Sequence, residues 1–378
     1  MEKGEILYCG EFTGFAGGIE RYAFRTALLL REASWRVNWC GRRPCRGEEQ
    51  FRAGFDRVFS ADDLPSEMPE VRAVILHKLP DVNFLKQLRD RFGSRLVFLA
   101  HDHDLYCPRR HYYTPFGRTN CHRAFQALRC GICSHLSSPR NWPGPGMGRS
   151  ALLQGLRGCH AAVLSGFMKD NLLRNGFQQE KIHRLPPVID VPSAERKDPE
   201  NAELNILYLG QLIRGKGVDL LLPALAALRI PWHATVAGDG NDRAMLEDLA
   251  KNLGIADRVR FTGWLNDPES CFDGCDAAVF PSRWQEPFGL SGAEALAHGV
   301  PVVAFDTGGV REWLDDGVSG FIVPERDSES MAAKLEQLWR EPGLRKRMGL
   351  AGAQRMRERF SPECFRTAFE HLIEAVNP

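Results

Sequence analysis

The chain reads as α/β, with two Rossmann-like domains in tandem. Three observations predict this. Short apolar runs recur, each followed by glycine-rich punctuation and then a segment of helical period. The pattern stops in a proline-rich charged stretch near residue 191 and restarts near 204. The 378 residues are enough for two halves, each burying a core of its own.

Taken in order, Ile6–Phe12 is the first strand, followed by Gly14, Gly17 and Gly18. A helix over Ile19–Arg31 has Ile19, Tyr22, Ala23, Ala27 and Leu30 on one face. Arg36–Gly41, Ala73–Leu79, Leu96–His101 and Ala161–Ser165 are apolar runs suited to a parallel sheet covered on both faces. The first domain is thus expected over 1–190, with a Cys- and Arg-rich insertion at about 105–150, and a linker over 191–203. In the second domain, 204–360, strands are expected at Asn205–Leu209, His233–Ala237, Val259–Thr262, Ala277–Pro281 and Val302–Phe305. Helices are expected at Asp219–Leu228, Asp242–Leu253, Ser291–Ala297 and Ser328–Trp339. In the closing segment 361–378, Pro362–Val376 is an amphipathic helix that can cap the second domain or cross back to the first.

Composition narrows the class. Apolar residues make up 43% and charged residues 26%, as in a globular protein. The chain has no apolar run of bilayer length, and its start does not read as a signal peptide, so a cytoplasmic location is expected. Eleven cysteines in such a chain point to reduced thiols. The net charge of +1 conceals an asymmetry: residues 1–190 hold 28 Lys and Arg against 19 Asp and Glu, a net of +9. From Leu105 to Lys169 there is no carboxylate, while Arg109, Arg110, Arg118, Arg123, Arg129, Arg140, Arg149, Arg157 and Lys169 fall there. Such a stretch suits an anionic partner, including an anionic membrane surface.

Ligands of open α/β sheets bind beyond the carboxyl ends of the strands, and the chemistry-bearing residues lie there. Glu286 and Glu294 bracket Pro287-Phe288-Gly289, a turn that opens a helix. Two carboxylates so placed can grip two hydroxyl-bearing parts of one ligand. The N–H groups of Phe288, Gly289 and Leu290 at the helix start suit a phosphate. Arg214 and Lys216 follow the first strand of the second domain and can neutralise a diphosphate, the Arg as a planar fork and the Lys as a point charge. Gly17 and Gly18 do not form a G-x-G-x-x-G fingerprint, yet they allow close backbone approach to a phosphate. His101 stands just past a strand, at the expected cleft.

These motifs resemble glycosyltransferase family 4, retaining enzymes of the GT-B architecture, in which two Rossmann-like domains face each other across a cleft. The likeness is carried by Glu286 and Glu294 within Glu-Pro-Phe-Gly-Leu-Ser-Gly-Ala-Glu-Ala-Leu-Ala-His-Gly-Val-Pro, and by Gly-Lys-Gly-Val-Asp-Leu-Leu-Leu. Val236–Gly240, Val259–Trp264 and Thr307–Gly309 support it across about 204–360. The first domain is similar through Gly17-Gly18-Ile-Glu20 and His101-Asp102.

The resemblance implies transfer of a sugar from a nucleotide-sugar to a carbohydrate or lipid-linked acceptor, in envelope polysaccharide or glycolipid synthesis at the inner face of the plasma membrane. It implies that Glu286 and His101 meet the donor sugar and Glu294 the ribose. Arg214, Lys216 and the N–H groups of Phe288, Gly289 and Leu290 would hold the diphosphate, with Gly17 and Gly18 touching it from the first domain. Gln211 stands where the family usually has Arg. No cofactor is needed for catalysis. No nucleophile is evident, which favours attack on the same face as the departing phosphate.

Two other readings compete: a GT-B-like sugar-nucleotide epimerase, and a nucleic-acid-binding protein built on the basic segment with Tyr112, Tyr113, Phe116 and Trp142 as stacking rings. The second leaves the motifs of 204–360 unexplained, so no nucleic-acid partner is expected. Within the basic segment, Cys107, Cys121, Cys130 and Cys133 form a Cys-x-x-Cys pair plus two further thiols, a ligand set for a structural zinc.

Overall fold

The computed structural model describes residues 3–65, 67–68, 70–78, 81–110, 112–114, 119–137, 145–193, 202–265 and 269–377. Most of the expected linker, and Arg118, Arg140, Phe116 and Trp142, lie outside them. The chain divides into two compact units, Met1–Val188 with Pro362–Pro378, and Ile189–Ser361.

The first unit is built on seven parallel strands: β1 (Glu5–Cys9), β2 (Arg36–Gly41), β3 (Arg57–Ser60), β4 (Val71–Leu76), β5 (Leu96–Ala100), β6 (His160–Val163) and β7 (Ile182–Arg184). Their order is β3-β2-β1-β4-β5-β6-β7. β1, β4 and β5 are buried along almost their whole length, which explains why they read as unbroken apolar runs. The strand order reverses between β1 and β4, so the loops after these two strands flank the topological switch point. Helix α1 (Gly18–Glu32) returns from β1 to β2 and buries Tyr22, Ala23, Thr26, Ala27 and Leu30. The first strand is shorter than expected: it ends at Cys9, and Phe12–Thr13 pairs separately with Arg43–Pro44. The C-terminal helix, Pro362–Val376, is in this unit. Its Phe365 and Phe369 meet Tyr22 and Trp35, and Asn377 donates to the carbonyl of Arg72.

The second unit repeats the design with six parallel strands: β8 (Leu204–Leu209), β9 (Trp232–Ala237), β10 (Val259–Gly263), β11 (Ala277–Phe280), β12 (Val302–Phe305) and β13 (Gly320–Val323). The order is β10-β9-β8-β11-β12-β13, with the switch between β8 and β11. One core runs from Leu204 and Trp232 through Leu221, Leu225 and Phe305 to Leu335 and Met348.

Candidate functional site

In the second unit the chain leaves β11 at Pro281 and runs through Ser282–Gly289 into helix α2 (Leu290–Ala297). Gly289 is left-handed at φ 97°, and a Cβ there would lie 2.8 Å from Phe280 and 3.3 Å from the Trp313 ring nitrogen. Only glycine makes this entry without strain. Trp313 Nε1–H donates to the Phe288 carbonyl at 2.7 Å, and Phe288 is itself buried, so the loop is fastened from below. The backbone N–H groups of Phe288, Gly289 and Leu290 have no acceptor among the described residues. They form a donor cluster at a helix start.

The Glu286 side chain is largely buried, and its Oε1 accepts from Lys216 Nζ at 2.5 Å and from Ser282 Oγ at 3.0 Å. Lys216 reaches it from Arg214–Lys216, a tight turn after β8. Two glycines set that turn. Gly215 lies flat under Trp284, leaving no room for a Cβ, and its carbonyl accepts the Arg283 and Trp284 N–H groups. Gly217, at φ 75°, would drive a Cβ to 1.9 Å from the Pro281 carbonyl. Gly308 and Gly309 likewise press against the backbone of Gln285–Phe288, and the Gly309 N–H donates to the Glu286 carbonyl at 2.8 Å. Asp219 receives the buried Arg283 at 2.6 Å and the more exposed Arg214 at 3.4 Å. Glu294 is half-buried on α2, and Gln211 is exposed. Ser282, Asp219, Arg283 and Thr307 were not singled out as site residues from sequence. For Ser282, Arg283 and Thr307 the available signal was their position just after strands, whereas Asp219 lies in the first turn of the helix Val218–Ala226.

In the first unit, Gly17 and Gly18 are exposed at the start of α1. Gly17 is extended, and a Cβ on Gly18 would meet nothing within 4 Å. Neither glycine is required by backbone conformation or packing, unlike Gly14, which is at φ 141° and crowded by Cys45 and Arg46. The buried Glu20 has its carboxyl pushed up by burial, while the N–H groups of Glu20 and Gly17 and the Lys78 charge pull it back. His101 follows β5, half-buried, with its Nε2 3.0 Å from Nδ1 of His77. Burial depresses His101 to about 4, so its ring is neutral near pH 7. Beside it Lys78 bridges Asp102, at 2.7 Å, and Asp104. Burial pushes the Asp102 carboxyl up, but Lys78 and the Asp104 N–H more than offset this and hold it below the usual range.

Cys107 is buried, and Cys121, Cys130 and Cys133 are half-buried. Burial pushes the Cys107 thiol up, and the nearby Cys121 and Cys130 thiols add to the shift; Cys130 is raised by burial and by Cys121 and Cys133. The Gln126 N–H points at Cys130 Sγ, 3.4 Å away. Among the described residues no three His, Cys, Asp or Glu side chains are gathered to hold a metal ion, so as placed the four thiols are neighbours but not a ligand set.

Each unit carries a doubly wound sheet, and in the second a cation-and-carboxylate loop and a helix N-terminus lie beyond the carboxyl ends of the strands, where ligands of such sheets bind. Residues 193–355, somewhat less than half of the chain, match the family model described as Glycosyl transferases group 1. It is 32% identical over 187 residues to the lipopolysaccharide core biosynthesis glycosyltransferase LpsE of Rhizobium meliloti, covering 49% of this chain and 54% of that protein. It is 34% identical over 216 residues to the glycogen synthase of Mycobacterium tuberculosis, covering 56% and 50%. The chain thus spans about half the length of the curated relatives it matches. Among solved structures it resembles Anabaena Alr3699/HepE in complex with UDP, with a TM-score of 0.74 at 18% identity over 98% of this chain and 100% of that one. It also resembles the apo form of the lipopolysaccharide outer core galactosyltransferase WaaB, with a TM-score of 0.68 at 16% identity over 98% and 99%. The fold is GT-B.

Proposed function

We propose that this protein is a retaining glycosyltransferase that moves a sugar from a nucleoside-diphosphate sugar to a carbohydrate or lipid-linked acceptor. The observation that carries the reading is the second-unit loop. Lys216, Ser282 and Glu286 are joined by hydrogen bonds beside the unpaired N–H groups that open α2. Lys216, Arg214 and those N–H groups supply positive charge for the departing diphosphate, while Glu286 accepts sugar hydroxyls and Glu294 the ribose. Stabilising the leaving group in this way removes the need for a protonated acid, and the departing phosphate oxygen can take the acceptor's proton on the same face. Gly17, Gly18 and His101 are assigned to the donor from the first unit.

An envelope-polysaccharide role is supported by the lipopolysaccharide core enzymes among the relatives. These matches do not favour the epimerase or the nucleic-acid reading. No helix among the described residues is long and apolar enough to cross a membrane. We assign docking on the cytoplasmic face of an anionic membrane to helix Ala127–Ser137. Leu128, Ile132 and Leu136 lie on one face of it, 74%, 46% and 52% exposed, within the carboxylate-free basic stretch. A structural zinc on Cys107, Cys121, Cys130 and Cys133 has the closeness of the thiols as its support and no ligand geometry; less than about a tenth of an equivalent by elemental analysis would end it.

A thermal-shift series with UDP, GDP, ADP and their sugars tests the function. One nucleotide family should raise the melting temperature in step with its concentration. No response to any of them would overturn the assignment.

A further inference from the structure

We propose that His77 is a positioning residue that fixes the tautomer of His101, so that His101 meets its ligand as a neutral Nδ1–H donor and not as a base. The tautomer follows from the first unit alone; that the ligand oxygen belongs to a donor sugar rests on the glycosyl-transfer reading.

His77 follows β4 and His101 follows β5, two adjacent parallel strands next to the switch point. The His77 N–H donates to the Cys9 carbonyl at 2.8 Å, so its backbone is tied to β1. Its ring is 1% exposed and walled by Tyr8, Trp39 and Tyr22, with ring centres 4.4, 6.0 and 6.0 Å away. His77 Nδ1 and His101 Nε2 are 3.0 Å apart, and the two ring planes differ by only 22°. One proton therefore lies between the two nitrogens, and the question is which ring owns it.

The far nitrogen of His77 decides. Nε2 is buried and has no partner among the described residues. If His101 supplied the shared proton, neutral His77 would carry its own on Nε2, a buried N–H without an acceptor. If His77 supplies it, Nε2 is a lone pair without a donor, and the buried N–H without an acceptor, a rare feature of folded proteins, is avoided. Burial holds both rings well below their ordinary pKa, so neither carries a second proton near pH 7. Asp102 favours protonation of His101, but burial, with the Lys78 charge adding to it, outweighs Asp102.

His77 Nδ1–H thus donates to His101 Nε2, and the single proton of His101 sits on Nδ1. That nitrogen has no partner among the described residues and is not enclosed. It can donate to a hydroxyl or phosphate oxygen. With its other nitrogen engaged, His101 has no lone pair to take a proton from an acceptor.

The test uses the full chain labelled with 15N-histidine. Two-bond proton–nitrogen correlations distinguish the two neutral tautomers, and the His101 signals are assigned by their loss in His101→Asn. The wild type should show His101 protonated on Nδ1. His77→Asn, whose amide N–H replaces the Nδ1 donor, should keep that pattern. His77→Leu should move His101 toward the Nε2–H form that free imidazole side chains prefer. A wild-type His101 protonated on Nε2, or a tautomer unchanged in His77→Leu, overturns the proposal. Neither readout needs a substrate. The expected tautomer in a protein that turns over no nucleotide-sugar would refute the functional reading and leave this one standing.

Discussion

Lys216 Nζ and Ser282 Oγ converge on one oxygen of Glu286, Oε1, and leave Oε2 without a partner among the described residues. The carboxylate is thereby held by one edge and offers the other to a ligand. A group fixed before the ligand arrives loses little freedom when the charge distribution changes. Glu286→Gln keeps the shape but weakens the acceptor, and should lower kcat on the order of a hundredfold with a smaller change in KM. Lys216→Ala removes both the diphosphate charge and the clamp on Glu286, and should raise donor KM as well as lower kcat. Steady-state kinetics on an identified donor checks both; near wild-type values in the pair would detach this loop from the reaction.

Two glycines at helix starts should respond in opposite ways. Gly289 is left-handed and packed against Phe280 and Trp313, so Gly289→Ala should cost at least about 1–2 kcal/mol of stability. A Cβ on Gly18 meets nothing, and alanine is the better helix former. Gly18→Ala should leave the melting temperature unchanged or raise it, and yet weaken nucleotide-diphosphate binding about tenfold if the phosphate approaches there. Calorimetric melting with titration of the nucleotide separates the two effects. Unaltered binding in Gly18→Ala would remove Gly18 from the site.

The parts of this fold that sequence displayed were those buried on both faces. Arg36–Gly41 and Val302–Phe305 match the observed strands residue for residue: Val302–Phe305 is wholly apolar, and Arg36–Gly41 is buried from Val37 onward, its one buried polar side chain, Asn38, donating to Glu5. The edge strands Arg57–Ser60 and Ile182–Arg184 were missed, being short, half-exposed and carrying Arg and His. Gly320–Val323, an edge strand that opens on a glycine, was missed as well, and so was the helix Pro342–Phe360, whose many arginines hide the buried Met348, Gly352 and Met356 face. Of the site, sequence could point to Lys216 and Glu286 separately. It could not show that they bond to each other, because β8 and β11 are neighbours only through the crossover order of the sheet. The roles of Gly215, Gly308 and Gly309 were hidden for the same reason: each is small because of a backbone or ring distant in sequence.

The buried histidines make stability depend on pH in a definite direction. His101 titrates at about 4 in the folded protein against 6.5 for an ordinary histidine, and His77 is also well below it, in both cases chiefly through burial. Between about pH 6.5 and 4 the unfolded chain binds protons that the folded pair refuses, so stability should fall as pH drops through that window. Asp102 acts lower down: its stabilisation is present above the unfolded value of 3.8 and is lost as pH falls below that toward its folded pKa. Urea unfolding from pH 7 to 4 should show this decline, and His101→Asn should make it shallower. A decline of unchanged slope in the variant would mean that other groups, such as the similarly depressed His160 and His183, account for it.

The membrane assignment rests on one face of one helix. Leu128, Ile132 and Leu136 recur every four residues and so lie along one stripe, whereas Ser134 is buried on the other side. A stripe of this kind in an aqueous protein has an apolar surface to cover, and the surrounding sequence from Leu105 to Lys169 has only basic charge to offer. An anionic bilayer satisfies both: the apolar side chains enter the acyl boundary while Arg123 and Arg129 remain among the headgroups. Basic residues near such a surface contribute about 1 kcal/mol each, so docking should be reversible and sensitive to salt. In flotation, the protein should rise with phosphatidylglycerol-containing vesicles, rise much less with neutral ones, and be released by high salt. Leu128→Ser with Ile132→Ser should reduce the bound fraction severalfold without altering donor binding. Equal binding of variant and wild type would place the contact elsewhere, and self-association through the stripe, read as a dimer in sedimentation, would assign this face to a second copy of the chain.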